Sequence, residues 1–260
     1  TVIDGELLPY KEGKPLSFQI LQTRIGRKNV SKKILENCPV IIMAYDLMEW
    51  QGEDVRQWPL QKRRAHLAKV VESVNKPDKL LLSPEAKFAD WDELAALRDQ
   101  AREQHSEGLM LKRYDSDYKV GRKRGDWWKW KVDPLTIDAV MIYAQRGHGR
   151  RANLYSDYTF AVWDGDKLVP FAKAYSGLTD AEMKKVDAFV KKNTLERFGP
   201  VRSVKPELVF EIGFEGIARS TRHKSGVALR FPRMLRWRQD KDVREANTLE
   251  DLQAILRAYG

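Results

Sequence analysis

The arrangement of apolar residues changes character at Asp133 and Pro134, and this limits the folds open to a chain of 260 residues. Before that point long apolar strands alternate with amphipathic helices. After it, short strands follow one another through Gly and Asp turns. Proline disfavours a continuing ladder and stiffens the link. The sequence therefore reads as an α+β domain over 1–134, a small β-barrel over 135–246 and a helical tail over 247–260.

In the first part, 2–8 reads as a strand and 9–15 as polar turn material around Gly13. A short helix follows Ser17, and 40–48 (VIIMAYDLM) is a strongly apolar strand. A basic helix over 58–73 carries Leu60, Leu67 and Val70 on its apolar side, 80–82 is a short strand, and 91–104 is an amphipathic helix. Strands return at 108–112 and 127–132. In the second part, strands are predicted at 137–145, 158–163, 167–174, 208–214 and 228–230. Asp164 and Gly165 signal a hairpin turn, and Thr179 with Glu182 forms a capping box opening a helix over 179–194. Five strands with one inserted helix fit a barrel of the OB type, which pattern alone does not separate from other small barrels.

Lys and Arg outnumber Asp and Glu by 47 to 37, a formal charge of +10 that favours a polyanionic partner. The single cysteine, Cys38, excludes an intrachain disulfide and a Cys-rich zinc site. No apolar run is long enough to span a bilayer. The opening TVIDGELLPY is strand and turn, unlike a signal peptide, so the chain is expected to be the later part of a longer protein.

The segment 107–131, EGLMLKRYDSDYKVGRKRGDWWKWK, carries most of the chemistry. Strand alternation in WWKWK places Lys129 and Lys131 on one face, with Trp128 and Trp130 anchoring the other in the core. Two ammonium groups that close suit a polyphosphate between them; the alternative is a half-exposed strand with solvated lysines. Glu107 is either a ligand for a hard cation or a strand-edge glutamate in solvent, and Lys112 is open in the same way. Tyr45 is either core packing or a flat ring that stacks on a nucleobase. Asp46 beside it needs a partner if buried. Glu6 is placed either to accept from ribose hydroxyls or to face solvent. Arg24, Arg27 and Lys28, and the loop residues Arg122, Lys123 and Arg124, are expected to grip phosphates. Arg219, Arg222 and Lys224 extend that surface, and LRFPRMLRWRQDK adds a dense run of arginine forks in which Asp240 is expected to orient Arg238 or Lys241.

Together these segments resemble an ATP-dependent DNA ligase, from residue 1 to about 241. IDGELL resembles the strand with the ribose-contacting glutamate, here Glu6. SFQILQTRIGRK resembles the segment that follows it in cellular DNA ligases. AYDLMEWQGEDVRQWPLQKRR is similar to motif III, with Tyr45 as the adenine-stacking aromatic. EGLMLK is similar to motif IV, with Glu107 as the metal-associated glutamate. WWKWKVD is similar to motif V, with Lys129 and Lys131 as phosphate-binding lysines. RFPRMLRWRQDK is similar to motif VI, with Arg238, Asp240 and Lys241 orienting the pyrophosphate. The resemblance implies a nucleotidyltransferase (ATP-grasp-like) domain followed by an OB-fold.

It also implies ATP as AMP donor, Mg²⁺ or Mn²⁺, and nicked duplex DNA as partner. A monomer is the default, cytoplasmic in a bacterium or archaeon and nuclear in a eukaryote. The family's Lys-x-Asp-Gly motif does not occur here, since Asp4-Gly5 and Asp164-Gly165 follow Val2 and Val162 by two residues. The expectation is an incomplete nucleotidyltransferase domain, inactive alone in self-adenylylation. RNA ligases and capping enzymes share the chemistry and are the alternatives for the parent. A non-catalytic DNA-binding module is the alternative for the chain itself. The lack of a Cys₄ site speaks against the NAD-dependent ligase type.

Overall fold

The computed structural model describes residues 1–149 and 152–260. The chain divides into two compact units, Thr1–Val132 and Asp133–Gly260.

The first unit contains β1 (Val2–Lys11), β2 (Lys14–Pro15), α1 (Phe18–Gln22), α2 (Lys32–Asn37), β3 (Val40–Trp50), β4 (Glu53–Asp54), α3 (Leu60–Val74), β5 (Leu80–Leu82), α4 (Trp91–Asp99), β6 (Gly108–Lys112) and β7 (Trp127–Lys131). The apolar run of β3 makes it the centre of a five-stranded sheet. It pairs antiparallel with β1 on one edge, and with β4 (antiparallel) and β5 (parallel) on the other. Helix α3 covers this sheet, and Leu67 is buried with Ala44, Leu47 and Val55. Strands β6 and β7 form a separate antiparallel pair.

The differences from the sequence reading are local. Pro9 lies inside β1 because its carbonyl still accepts from Leu16 N (2.8 Å) where β2 folds back, so the turn is confined to Glu12 and Gly13. Helix α3 starts at Leu60 because Pro59 occupies the N-cap. The predicted helix over 91–104 changes to a 3₁₀ turn at Gln100–Gln104, which ends in left-handed His105. Helix α2 was not legible in its short, charged stretch KKILEN.

The second unit contains β8 (Leu135–Arg146), β9 (Tyr155–Asp164), β10 (Lys167–Ala174), α5 (Asp180–Lys192), β11 (Thr194–Phe198), β12 (Val201–Val204), β13 (Val209–Phe214), β14 (Gly216–Arg219), β15 (Val227–Arg230), β16 (Arg233–Trp237) and α6 (Leu249–Tyr259). Strand β8 pairs with β9 on one edge and with β13 and then β12 on the other. Bulges in the β8–β9 and β9–β10 ladders bend the sheet. The result is a curled half-barrel consistent with the OB type, wrapped around Met141, Phe160, Phe210, Phe214, Val186 and Leu252. The capping box at Thr179 and Glu182 is present. The five expected strands are nine among the described residues. TLERF, VRSV, GIAR and RMLRW were missed because their charged residues mask the alternation. Helix α6 buries Leu252 and Leu256 in the barrel core.

Candidate functional site

The β6–β7 register pairs Gly108 with Lys131, Met110 with Lys129, and Lys112 with Trp127. Paired residues share a face, so Lys112, Lys129 and Lys131 all project to one side of the hairpin. The lysine expectation therefore matches the register, with Lys112 as a third member. The tryptophan expectation needs correction. Trp130 packs edge-on against Trp91 (6.1 Å) and lies under Arg98 (4.9 Å), but Trp128 is 48% exposed. Trp91 and Arg98, both on α4, meet that face at Trp130. The half-buried anchor on the lysine side is Trp127, whose indole N–H donates to Ser116 Oγ (3.3 Å).

Glu107 lies one residue before β6, and its Oε2 is 2.8 Å from Lys131 Nζ. This closeness depends on Gly108, which has φ +140°; a Cβ there would lie 2.2 Å from the Trp130 carbonyl oxygen. No side chain fits without parting the two strands. Gly108→Ala is expected to destabilise the protein by about 1–3 kcal/mol. An unchanged thermal midpoint would show that the strands separate at no cost.

Tyr45 lies on β3 at a register shift, where Asp4 pairs with Asp46 and Gly5 with Ala44. Its hydroxyl donates to Asp4 Oδ1 (3.1 Å), while Tyr118 donates to Asp4 Oδ2 (2.7 Å). Burial first, and then Asp4, raise the Tyr45 phenol pKa. The hydrogen bond to Asp4, with burial, pushes Tyr118 up to about 12. Both rings are thus neutral donors held in place. Lys112 Nζ lies 4.6 Å from the Tyr45 ring centroid and 3.9 Å from that of Trp127, and burial lowers its pKa. Glu6 is exposed and pairs with Met43, two residues before Tyr45 on the same strand face.

The opposite face explains Asp46. Its carboxylate and the Arg63 guanidinium are both 0% exposed, with Nε to Oδ1 at 2.7 Å and Nη2 to Oδ2 at 3.0 Å. Arg63 Nη1 donates further to the carbonyls of Ser116 (2.9 Å) and Trp58. The sequence signal for Arg63 was its position between Leu60 and Leu67 on the apolar stripe of α3.

The basic residues differ in what already holds them. Arg24 is half-buried and donates to the Cys38 carbonyl (2.8 Å), and Arg27 folds back on the Thr23 carbonyl (2.6 Å). Lys28, Arg122, Lys123 and Arg124 are exposed. In the second unit Arg219 ends β14, and Arg222 and Lys224 lie exposed in the turn leading to β15.

Arg238, Asp240 and Lys241 come together just after β16. Arg238 Nη2 donates to Asp240 Oδ2 (2.8 Å) and Nε to Oδ1 (3.0 Å), which lowers the Asp240 pKa to about 2. The residue missed from sequence is Asp138 on β8, whose Oδ2 accepts from Arg238 Nη1 (2.8 Å) and Lys241 Nζ (2.6 Å). An acidic residue inside the apolar run TIDAVMI was the available signal.

Among the described residues, no group of three or more His, Cys, Asp or Glu side chains could hold a metal by itself. An accessible carboxylate, Glu107, at the edge of the lysine face fits the habit of Mg²⁺, which takes one or two carboxylates and draws its other oxygens from phosphates and water. No helix of the described residues is long and apolar enough to cross a membrane.

The ATP dependent DNA ligase domain matches residues 1–131 and the ATP dependent DNA ligase C terminal region matches residues 151–241. The chain is 39% identical over 277 residues to a probable DNA ligase of Koribacter versatilis, covering 99% of this chain and 48% of that protein. It is 34% identical to a DNA ligase of Methanoculleus marisnigri, covering 96% of this chain and 44% of the other. The chain thus spans about half the length of these curated relatives. A solved Lig E DNA ligase shares the fold at a TM-score of 0.61 and 18% identity, covering 91% of this chain and 76% of that one. The first match alone takes in just over half of the residues, the ones that build the lysine face and the Tyr45 site, and the chain belongs to the ATP-dependent DNA ligase family, with a nucleotidyltransferase-type α+β unit.

Proposed function

We propose that the protein carrying this chain is an ATP-dependent DNA ligase that seals nicks in duplex DNA through enzyme-adenylate and DNA-adenylate intermediates. The observation that carries the proposal is the single face bearing Lys112, Lys129 and Lys131 with Glu107 at its edge. In the first step a lysine Nζ attacks the ATP α-phosphorus, a P–N bond forms, and the bond to the β-phosphate oxygen breaks as pyrophosphate leaves. In the second, a 5′-phosphate oxygen at the nick attacks the same phosphorus and the lysine leaves. In the third, the 3′-hydroxyl loses its proton, attacks the 5′-phosphorus and displaces AMP.

Each step gathers negative charge on phosphate oxygens, so fixed cations contribute most. Lys129 and Lys131 stabilise that charge, Lys112 adds a third cation beside the base-stacking ring of Tyr45, and Glu6 accepts from the ribose hydroxyls. Glu107 would hold a Mg²⁺ or Mn²⁺ ion, which supplies Lewis-acid polarisation of phosphate when bound. The curled half-barrel acts as an OB-fold. Its Arg219, Arg222 and Lys224, with Arg24, Arg27, Lys28, Arg122, Lys123 and Arg124, meet the DNA backbone, and binding should weaken steeply with salt.

No Lys-x-Asp-Gly tetrapeptide occurs in these residues, and the relatives are about twice as long. On this reading the nucleophilic lysine is not among these 260 residues. Intact-mass measurement tests this. The full-length protein should gain one AMP on incubation with ATP and Mg²⁺, and these 260 residues alone should gain none. An adduct on the 260-residue chain would place the nucleophile within it.

Arg238 and Lys241 act only while pyrophosphate is present. Arg238→Ala or Lys241→Ala in the full-length protein should slow self-adenylylation by about tenfold or more, with a much smaller effect on sealing a pre-adenylylated nick. Equal losses in the two reactions would count against this division of labour. Side-by-side competition of nicked DNA and nicked RNA distinguishes the RNA-ligase alternative.

A further inference from the structure

We infer that Asp138 is a positioning residue for the first step, holding Arg238 and Lys241 in the arrangement that receives the pyrophosphate half of ATP. The inference rests on the ligase reading above. Both cations converge on one carboxylate oxygen, Asp138 Oδ2, at 2.8 Å and 2.6 Å. Arg238 and Lys241 are three residues apart and would repel each other if left to solvent. The shared oxygen draws them together.

The Asp138 side chain is 9% exposed, and among the described residues its Oδ1 has no hydrogen-bond partner. A buried carboxylate with one unsatisfied oxygen is costly, so packing alone gives no reason for an aspartate in an apolar strand. Its backbone is fixed independently of the two cations. Asp138 N donates to Asn247 Oδ1 (2.8 Å), and Asn247 N donates to the Asp138 carbonyl (2.9 Å). The cation-bearing turn is also anchored, through Arg238 N to the Val209 carbonyl (2.8 Å) and Lys241 N to the Arg238 carbonyl (3.2 Å).

The two carboxylates around Arg238 differ in kind. Asp240 is 63% exposed and exchanges readily with an incoming phosphate oxygen, whereas Asp138 is shielded and stays. Arg238 thus keeps its orientation through Nη1 while Nη2 and Nε turn to phosphate.

The test compares the full-length protein with Asp138→Asn and Asp138→Glu. Two reactions are followed: AMP uptake from ATP, and sealing of a pre-adenylylated nicked duplex. For Asp138→Asn the KM for ATP in the first reaction is expected to rise by about tenfold or more, while sealing in the second stays within about threefold. Retained sealing also reports that the variant is folded. Asp138→Glu, which keeps the charge, is expected to recover part of the lost affinity for ATP. Equal losses in both reactions overturn the positioning role, as does an unchanged KM. A Glu variant no better than the Asn variant overturns the hold by charge. A wild-type protein that neither takes up AMP nor seals nicks overturns the ligase reading and the Asp138 assignment with it.

Discussion

Asp46→Ala is expected to destabilise the first unit by about 3–5 kcal/mol, because it leaves a buried guanidinium without its counter-ion. Neither side chain of the Asp46–Arg63 pair is accessible to solvent, so Arg63 cannot exchange its partner for water without opening the sheet–helix interface. Arg63→Met should do comparable damage from the other side. It leaves Asp46 with the hydrogen bond from Leu47 N (2.8 Å), and it takes one donor each from the carbonyls of Trp58 and Ser116. The double replacement Asp46→Leu with Arg63→Met should recover much of the loss, since an apolar pair removes both buried charges. Recovery should be incomplete because the Trp58 carbonyl loses its Arg63 donor and the Ser116 carbonyl is left with Leu60 N (2.9 Å), and Ser116 anchors the segment bearing Tyr118. Urea unfolding followed by tryptophan fluorescence gives these values. Single variants within about 1 kcal/mol of wild type would mean that the pair is solvated in practice.

The second large effect concerns the lysine face. Lys129→Ala or Lys131→Ala in the full-length protein should slow single-turnover ligation by more than about tenfold, at least ~1.4 kcal/mol of barrier stabilisation. The two need not be equal. Lys131 sits 2.8 Å from Glu107, so removing it also takes away the cation beside the proposed metal-binding carboxylate. Lys131→Ala should therefore lower the Mg²⁺ or Mn²⁺ concentration needed for half-maximal rate, since no ammonium then competes for Glu107, whereas Lys129→Ala should leave it unchanged. Near-normal single-turnover rates in both variants would remove these lysines from the chemistry. A shared shift in metal requirement would show that Glu107 and Lys131 are not coupled in the working enzyme.

Much of the site was written in local patterns. WWKWK alternates, so any strand it forms must put Lys129 and Lys131 on one face. EGLMLK pairs with it in a register that Gly108 permits and that sets Glu107 beside Lys131. The capping box at Thr179 and the turn at Asp164 and Gly165 were equally legible, because caps and tight turns depend on residues close in sequence. Trp128 was misread because alternation says which side chains share a face but not whether anything covers that face. Only the placement of α4 decided that Trp130 is packed and Trp128 is exposed.

For the long-range partners the local pattern signals burial of a charge but not whom it pairs with. Asp46 announced that it needed a partner, but its identity, Arg63, follows from α3 packing across β3. Asp4 joins Tyr45 and Tyr118, residues 41 and 114 positions away, and Asp138 joins Arg238 and Lys241, 100 and 103 positions away. The sequence by itself determined which charges and rings this chain possesses and which face of each strand they occupy, since those depend on spacing along the backbone. The tertiary structure alone decided which charges are buried and who neutralises whom. Desolvation and ion pairing depend on distances through space, and only the closed sheet and the curled half-barrel set those distances.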